Sequence, residues 1–146
     1  MSTYQVSASA IIPAPPATVY NFLIDYEKHA TILPPQFFKN MTITAGGVGA
    51  GTEITVDMEV LGTKHTFHLH VTEPEPGRIL KETDLNQGTA TTFTFDPHHN
   101  GQQTNLTIAT DYRRKPGIAG LIESWINPPI ARHIYKKELE LIAAAF

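Results

Sequence analysis

Alternation of apolar and polar side chains dominates the middle of the chain, from Phe37 to Tyr112. The alternating segments are joined only by short stretches rich in glycine, proline and asparagine, which are typical turn residues. Parallel neighbours need a crossover of a dozen or more residues, and these joins are too short for one. The pattern therefore predicts a meander of six antiparallel strands, at residues 37–45, 52–61, 64–73, 78–84, 89–96 and 104–113.

The flanking segments predict one more strand and several helices. Alternation over residues 3–12 predicts a strand that ends at Pro13-Ala14-Pro15-Pro16. Proline suits the first turn of a helix, and apolar spacing predicts a helix to about Asp25, with a short helical piece near residues 27–32. Isoleucines at every fourth residue predict a long helix over about 117–146. Asn127-Pro128-Pro129 either kinks this helix or starts a second one with Asn127 as its N-cap.

One face of each strand is apolar, which is typical of an antiparallel sheet that is covered on one side. The long C-terminal helix is the expected cover. Its residues would extend over about 40 Å, so only a curved sheet can hold it along its length. Hydrophobic residues make up 41% of the chain and charged residues 17%, with no linker and no repeat. The sequence therefore predicts one α+β domain over residues 1–146.

Composition argues against several classes of function. The net charge of −3, without a basic block, argues against nucleic-acid binding. The absence of cysteine excludes a disulfide framework, a thiolate nucleophile and cysteine-ligated zinc. The first residues do not resemble a signal peptide, and no apolar run approaches the ~20 residues that span a bilayer. We expect a cytoplasmic protein without an integral membrane segment, a metal or a cofactor; its oligomeric state stays open.

The order of elements resembles the helix-grip superfamily of START-like and polyketide cyclase/dehydrase-like proteins. Three stretches carry the resemblance: residues 10–25 (AIIPAPPATVYNFLID), Gly49-Ala50-Gly51-Thr52, and the C-terminal helix with its internal proline. The resemblance implies a seven-stranded curved antiparallel sheet, wrapped around a long C-terminal α-helix, with two short helices after strand 1. It also implies a cavity between sheet and helix, which the family uses for lipids, polyketides, hormones or partner proteins.

A small apolar ligand, such as a lipid or a polyketide, is the partner that this cavity predicts. The apolar strand faces and the helix supply the candidate walls, although the same side chains would also serve to fill a core. The candidates are Phe22, Tyr26, Met58, Phe67, Leu69, Phe93, Phe95, Ile108, Tyr112, Ile122, Trp125 and Ile126.

Two other functions remain open at this stage. The first is a cyclase or dehydratase with His65 and Tyr112 as acid/base residues, because a histidine at a cavity mouth can transfer protons near neutral pH. Tyr135, and either Glu82 or Asp84, are further candidates for this role. A turn at Gly62-Thr63 would place His65 on the apolar face near Val60. The second is a protein-interaction module with a filled core. Polar side chains converging in a cavity would favour the enzyme.

The remaining polar residues, and the glycine-rich loop, do not predict a functional site. The turn at Gly62-Thr63 would also place Asp57 opposite His68, and His70 lies on the same face of the strand as His68. Two histidines and a carboxylate could bind zinc. However, these side chains lie on the polar face of the sheet, so a solvated charged surface is favoured. Glu82 and Asp84 are expected to point to solvent, although the facing of their strand is ambiguous. The glycine-rich loop at residues 46–51 precedes a strand rather than a helix, so it does not predict a phosphate site.

Overall fold

A computed structural model describes residues 3–113 and 128–146. Seven strands form a single antiparallel sheet in the order β1-β7-β6-β5-β4-β3-β2. The strands are β1 (Thr3–Ile12), β2 (Phe38–Ala45), β3 (Glu53–Val60), β4 (Thr63–Glu75), β5 (Ile79–Asp84), β6 (Ala90–His98) and β7 (Gln103–Arg113). Successive strands from β2 to β7 are neighbours, and β1 pairs with β7 at the far edge. The predicted meander is confirmed.

Helices α1 (Pro16–Leu23) and α2 (Tyr26–His29) and a 3-10 turn (Ala30–Ile32) follow β1, and the C-terminal helix covers Pro128–Ala144. The C-terminal helix packs on β1 and on the 3-10 turn. The predicted fold class, a helix-grip α+β fold, is thereby confirmed. Residues 117–127 of the predicted long helix, including Asn127, lie outside the described residues. None of the described helices is long and apolar enough to cross a membrane.

The hairpin between β3 and β4 turns one residue earlier than predicted. Leu61 and Gly62 occupy the turn, both with positive φ (52° and 79°). Two such residues match the twist of antiparallel strands in a two-residue loop. The partner of each β3 residue is therefore shifted by two positions along β4, which leaves the faces unchanged. His65 lies opposite Met58, not near Val60.

The outer face of this hairpin is a polar surface, as predicted, but its pairs differ. Asp57 lies opposite Thr66 rather than opposite His68. It accepts hydrogen bonds from Asn40 Nδ2 at 2.9 Å and from Thr66 Oγ1 at 2.6 Å, with Lys64 Nζ at 3.3 Å. These hydrogen bonds, first that of Asn40, lower the pKa of Asp57 to about 2.

His68 and His70 share a different carboxylate. Glu53 Oε1 lies 3.1 Å from His68 Nε2, and Glu53 Oε2 lies 3.7 Å from His70 Nδ1. Over residues 3–113 and 128–146, no cluster of three or more histidine or carboxylate side chains is arranged to hold a metal ion.

The glycine-rich loop at residues 46–51 is fastened to the end of α1. Gly49 N donates to Ile24 O at 2.9 Å, and Ala50 N donates to Glu73 Oε2 at 2.9 Å. Glu73 Oε1 in turn accepts a 2.6 Å hydrogen bond from Tyr20 OH. Gly49 has a φ of +69°, and a Cβ there would lie 2.7 Å from Glu73 Oε2, so this loop position requires glycine.

Candidate functional site

A cavity lies between the apolar face of the sheet, the short helices after β1 and the C-terminal helix. Its volume is about 90 Å³. A single water needs only ~10–15 Å³ of such a cavity, so the cavity accommodates a small organic molecule or several waters. The described residues therefore do not pack into a completely filled core.

Seven of the twelve predicted wall residues line this cavity. They are Tyr26, Met58, Phe67, Leu69, Phe93, Ile108 and Tyr112. Phe22 packs instead against Phe146, with ring centroids 5.3 Å apart, and Phe95 is buried against Tyr20 at 5.0 Å. The other three, Ile122, Trp125 and Ile126, lie outside the described residues. The apolar wall also includes Leu33, Phe38, Met41, Ile54 and Val56.

His65 is not among the residues that line the cavity. It is half-buried on β4, and its ring contacts Phe67 edge-on, with centroids 4.4 Å apart. The structure thus places His65 beside the wall residue Phe67, whereas Tyr112 lines the cavity itself.

Two carboxyl groups on β5 point into the cavity, so the expectation that they face solvent is wrong. Glu82 is 8% exposed and Asp84 is 1% exposed, and both line the cavity. The cause is Leu80, which is fully buried on the same strand face. Because successive side chains of a strand alternate between faces, residues 82 and 84 must follow residue 80 inward.

Glu82 is held by the segment that follows α1. Tyr26 OH donates a 2.7 Å hydrogen bond to Glu82 Oε2. His29 Nδ1 lies 2.8 Å from Leu23 O and must donate to it, which turns Nε2 towards Glu82 at 4.0 Å. Burial, followed by the charge of Glu82, raises the pKa of Tyr26 well above its usual value. Tyr26 therefore stays a hydrogen-bond donor throughout the physiological pH range.

Glu138 brings a third carboxyl group to the cavity, from the C-terminal helix. It is 5% exposed. Burial, and secondly the negative charge of Glu82, raise its pKa to about 8. At neutral pH this carboxyl group is therefore mostly protonated, which makes it a hydrogen-bond donor as well as an acceptor.

Only one of the two carboxyl oxygens of Asp84 has a hydrogen-bond partner among the described residues. Its Oδ1 accepts a 3.2 Å hydrogen bond from Asn86 N. Its Oδ2 is buried and has no hydrogen-bond partner among the described residues. A buried polar atom without a partner is rare in proteins, because its desolvation is not compensated. Asp84 Oδ2 is therefore an acceptor available to a molecule in the cavity.

A hydroxyl network completes the polar lining. Tyr135 OH donates to Thr110 Oγ1 and lies 2.9 Å from Tyr112 OH. Thr110 Oγ1 also lies 2.7 Å from Thr91 Oγ1. Burial raises the pKa of both tyrosines, so both hydroxyl groups remain protonated. They serve as donors and acceptors, not as bases.

Two titratable residues of the site, His29 and Glu138, were not predicted. Glu138 carries a signal in the sequence: it lies four residues after Ile134 and four before Ile142, so a carboxyl group interrupts the apolar stripe of the helix. His29 belongs to a helix of only four residues, which is too short to show a periodic pattern.

Comparisons with known proteins agree with this architecture. The model of a family described as polyketide cyclase / dehydrase and lipid transport matches residues 3–146. The solution structure of KanY protein is similar, with 22% identity, a TM-score of 0.85, and 99% of this chain and 98% of that chain covered. A search of curated proteins returns no match.

Two enzymes are also among the similar structures. Zhui aromatase/cyclase from Streptomyces sp. R1128 has 19% identity and a TM-score of 0.72, with 99% of this chain and 93% of that chain covered. Truncated norcoclaurine synthase from Thalictrum flavum has 16% identity and a TM-score of 0.75, with the same coverage. At these identities the likeness shows the fold alone.

Proposed function

Because the chain belongs to the polyketide cyclase/dehydrase and lipid transport family, we propose that its cavity binds one small, mainly apolar ligand. The observation that carries the proposal is a cavity whose walls differ in character. Strands β3 and β4 supply an apolar wall that includes Met58, Phe67 and Leu69. Carboxyl and hydroxyl groups occupy other positions, chiefly on β5, β7 and the C-terminal helix.

Such a lining suits a ligand with an apolar body and one polar group. Burying the apolar body is favourable by roughly 25 cal/mol per Å² removed from water. The few polar side chains then fix the orientation of the ligand, which is the usual design of a small-molecule site.

Leu69→Trp tests the proposal, because the larger side chain occupies the cavity. We expect the dissociation constant of a neutral apolar probe, 2-naphthol, to rise at least about ten-fold, since overlapping atoms must be displaced. Fluorescence titration measures the constant, and a circular dichroism melt checks folding.

His68→Trp is the matched control, because His68 is the neighbour of Leu69 on the same strand but lies on the outer face. It should leave the dissociation constant within about two-fold of the wild type. Equal affinities in all three proteins would contradict binding in the cavity.

Proton-transfer catalysis is a second candidate, and the carboxyl groups favour it. Glu82 accepts a hydrogen bond from Tyr26, whereas Glu138 holds its proton to about pH 8. A carboxyl group that keeps its proton, beside a second carboxyl group that accepts a hydrogen bond, is the arrangement expected of an acid/base pair. In this candidate Glu138 is the acid and Glu82 the base, because both line the cavity.

The test of this second candidate starts from whatever ligand co-purifies with the protein. We expect the wild type to change the mass or the stereochemistry of that ligand, and Glu138→Gln to bind it without changing it. Mass spectrometry and chiral chromatography follow the conversion. A ligand that both proteins return unaltered would leave binding as the only function.

A further inference from the structure

Among the described residues that line the cavity, the side chains that can ionise are mainly acidic. Glu82, Asp84 and Glu138 are all carboxylic acids, and no lysine or arginine occurs among the described residues that line the cavity. The one lining histidine, His29, uses its Nδ1 hydrogen for Leu23 O. A ligand carboxylate or phosphate would therefore meet acidic side chains, and no lysine or arginine of the described lining would compensate its charge.

The cavity contains acceptor positions to which no described residue donates a hydrogen bond. Asp84 Oδ2 is buried and has no partner among the described residues. Glu82 accepts the Tyr26 hydroxyl at Oε2, and a carboxylate offers about four acceptor positions in all. Unfilled acceptor positions that are shielded from bulk water favour a ligand that brings hydrogen-bond donors.

We infer that the ligand carries a primary or secondary amine, which binds as a cation among Glu82, Asp84 and Glu138. This inference rests on the proposed binding function and names the polar group of the ligand. An ammonium group supplies two or three donors and a positive charge, so it satisfies Asp84 Oδ2 and offsets the repulsion between the carboxyl groups. The apolar remainder of the molecule then contacts the wall formed by β3 and β4.

Three probes with the same six-carbon chain test this assignment: hexylamine, hexan-1-ol and hexanoate, titrated at pH 7.5 by isothermal calorimetry. We expect hexylamine to bind at least about ten-fold tighter than hexanoate, because hydrogen bonds to charged groups are worth more than neutral ones. Hexan-1-ol should fall between them, since it offers one donor and no charge.

Variants identify the carboxyl groups that bind the amine. Asp84→Asn and Glu82→Gln should each weaken hexylamine binding about five-fold or more, while hexan-1-ol stays within about two-fold. Glu53→Gln removes one negative charge from the outer face of β3 and controls for net charge; it should leave hexylamine binding unchanged. A hexylamine affinity that Asp84→Asn and Glu82→Gln do not alter would overturn the assignment.

The same titrations distinguish the proposed binding site from the assignment of an amine to its ligand. Equal binding of the three probes, all blocked by Leu69→Trp, would retain the apolar site and overturn the amine assignment. If hexanoate bound most tightly, the apolar site would likewise be retained and the amine assignment overturned. Failure of all three probes to bind would contradict the binding function and the amine assignment together.

Discussion

We expect the free energy of unfolding of the wild-type protein to fall by about 4 kcal/mol as the pH rises from 5 to 9, and Glu138→Gln to remove most of this fall. The pKa of Glu138 rises from 4.5 to about 8 in the folded protein, because the side chain is buried and faces the charge of Glu82. Each unit of pKa difference corresponds to about 1.4 kcal/mol.

The sign follows from proton binding. Between pH 4.5 and pH 8 the folded state keeps the proton of Glu138, whereas the unfolded state has lost it. Proton binding to the folded state alone stabilises it, so this contribution is complete below pH 4.5 and disappears as the pH passes through 8. Glutamine mimics the protonated carboxyl group and cannot ionise.

Urea unfolding at several pH values, with the wild type and the variant side by side, measures the effect. Glu140→Gln is the control, since Glu140 is exposed on the same helix beside Lys137. The free energy of unfolding of Glu140→Gln should show the same pH dependence as that of the wild type. A Glu138→Gln variant that loses stability with pH as steeply as the wild type would show that Glu138 is ionised in the folded protein at neutral pH.

The second large effect concerns Phe93, and we expect Phe93→Ala to lower the free energy of unfolding by about 3–5 kcal/mol. Phe93 is 2% exposed on β6, and its ring contacts His29 edge-on with centroids 5.5 Å apart. It also lines the cavity, so the space that its ring vacates joins an existing void. Such a void cannot close by small movements of neighbours, which places the cost at the upper end for buried aromatic residues.

Phe67→Ala provides the comparison, because Phe67 lines the same cavity but is only half-buried. Less apolar surface returns to water in this variant, so its loss of stability should be clearly smaller. Chemical unfolding of both variants under the same conditions measures the two losses. Equal losses, or a loss below about 1 kcal/mol for Phe93→Ala, would indicate that Phe93 packs less tightly than the structure shows.

Much of the fold was predictable because the sheet is apolar on one side. Alternation locates the strands and assigns the faces of β3 and β4 correctly, since both depend on a period of two. The predicted register between β3 and β4 was wrong by two residues. The turn places Leu61 at a φ of 52°, a conformation in which leucine is uncommon, so the sequence favoured the next pair of residues instead.

The facing of β5 could not be predicted from its own residues. Ile79 and Leu80 are both apolar, and polar residues follow on both faces. Tertiary packing decides: β5 lies between β4 and β6, and Leu80 is opposite Phe93, which belongs to the core. This single choice turns Glu82 and Asp84 into site residues. The apolar part of the site was therefore predictable, while its polar part depended on contacts between strands and helices.

The most direct test of the central claim, that the cavity is a ligand site, uses the methionines as reporters. Met41 and Met58 both line the cavity, and the chain has three methionines in all. We would label the methionine methyl groups with ¹³C, assign them by Met→Leu replacement, and titrate the protein with 2-naphthol. We expect the Met41 and Met58 signals to shift together to saturation and to show NOEs to the naphthol ring. Saturating probe that leaves both signals unchanged would contradict the central claim.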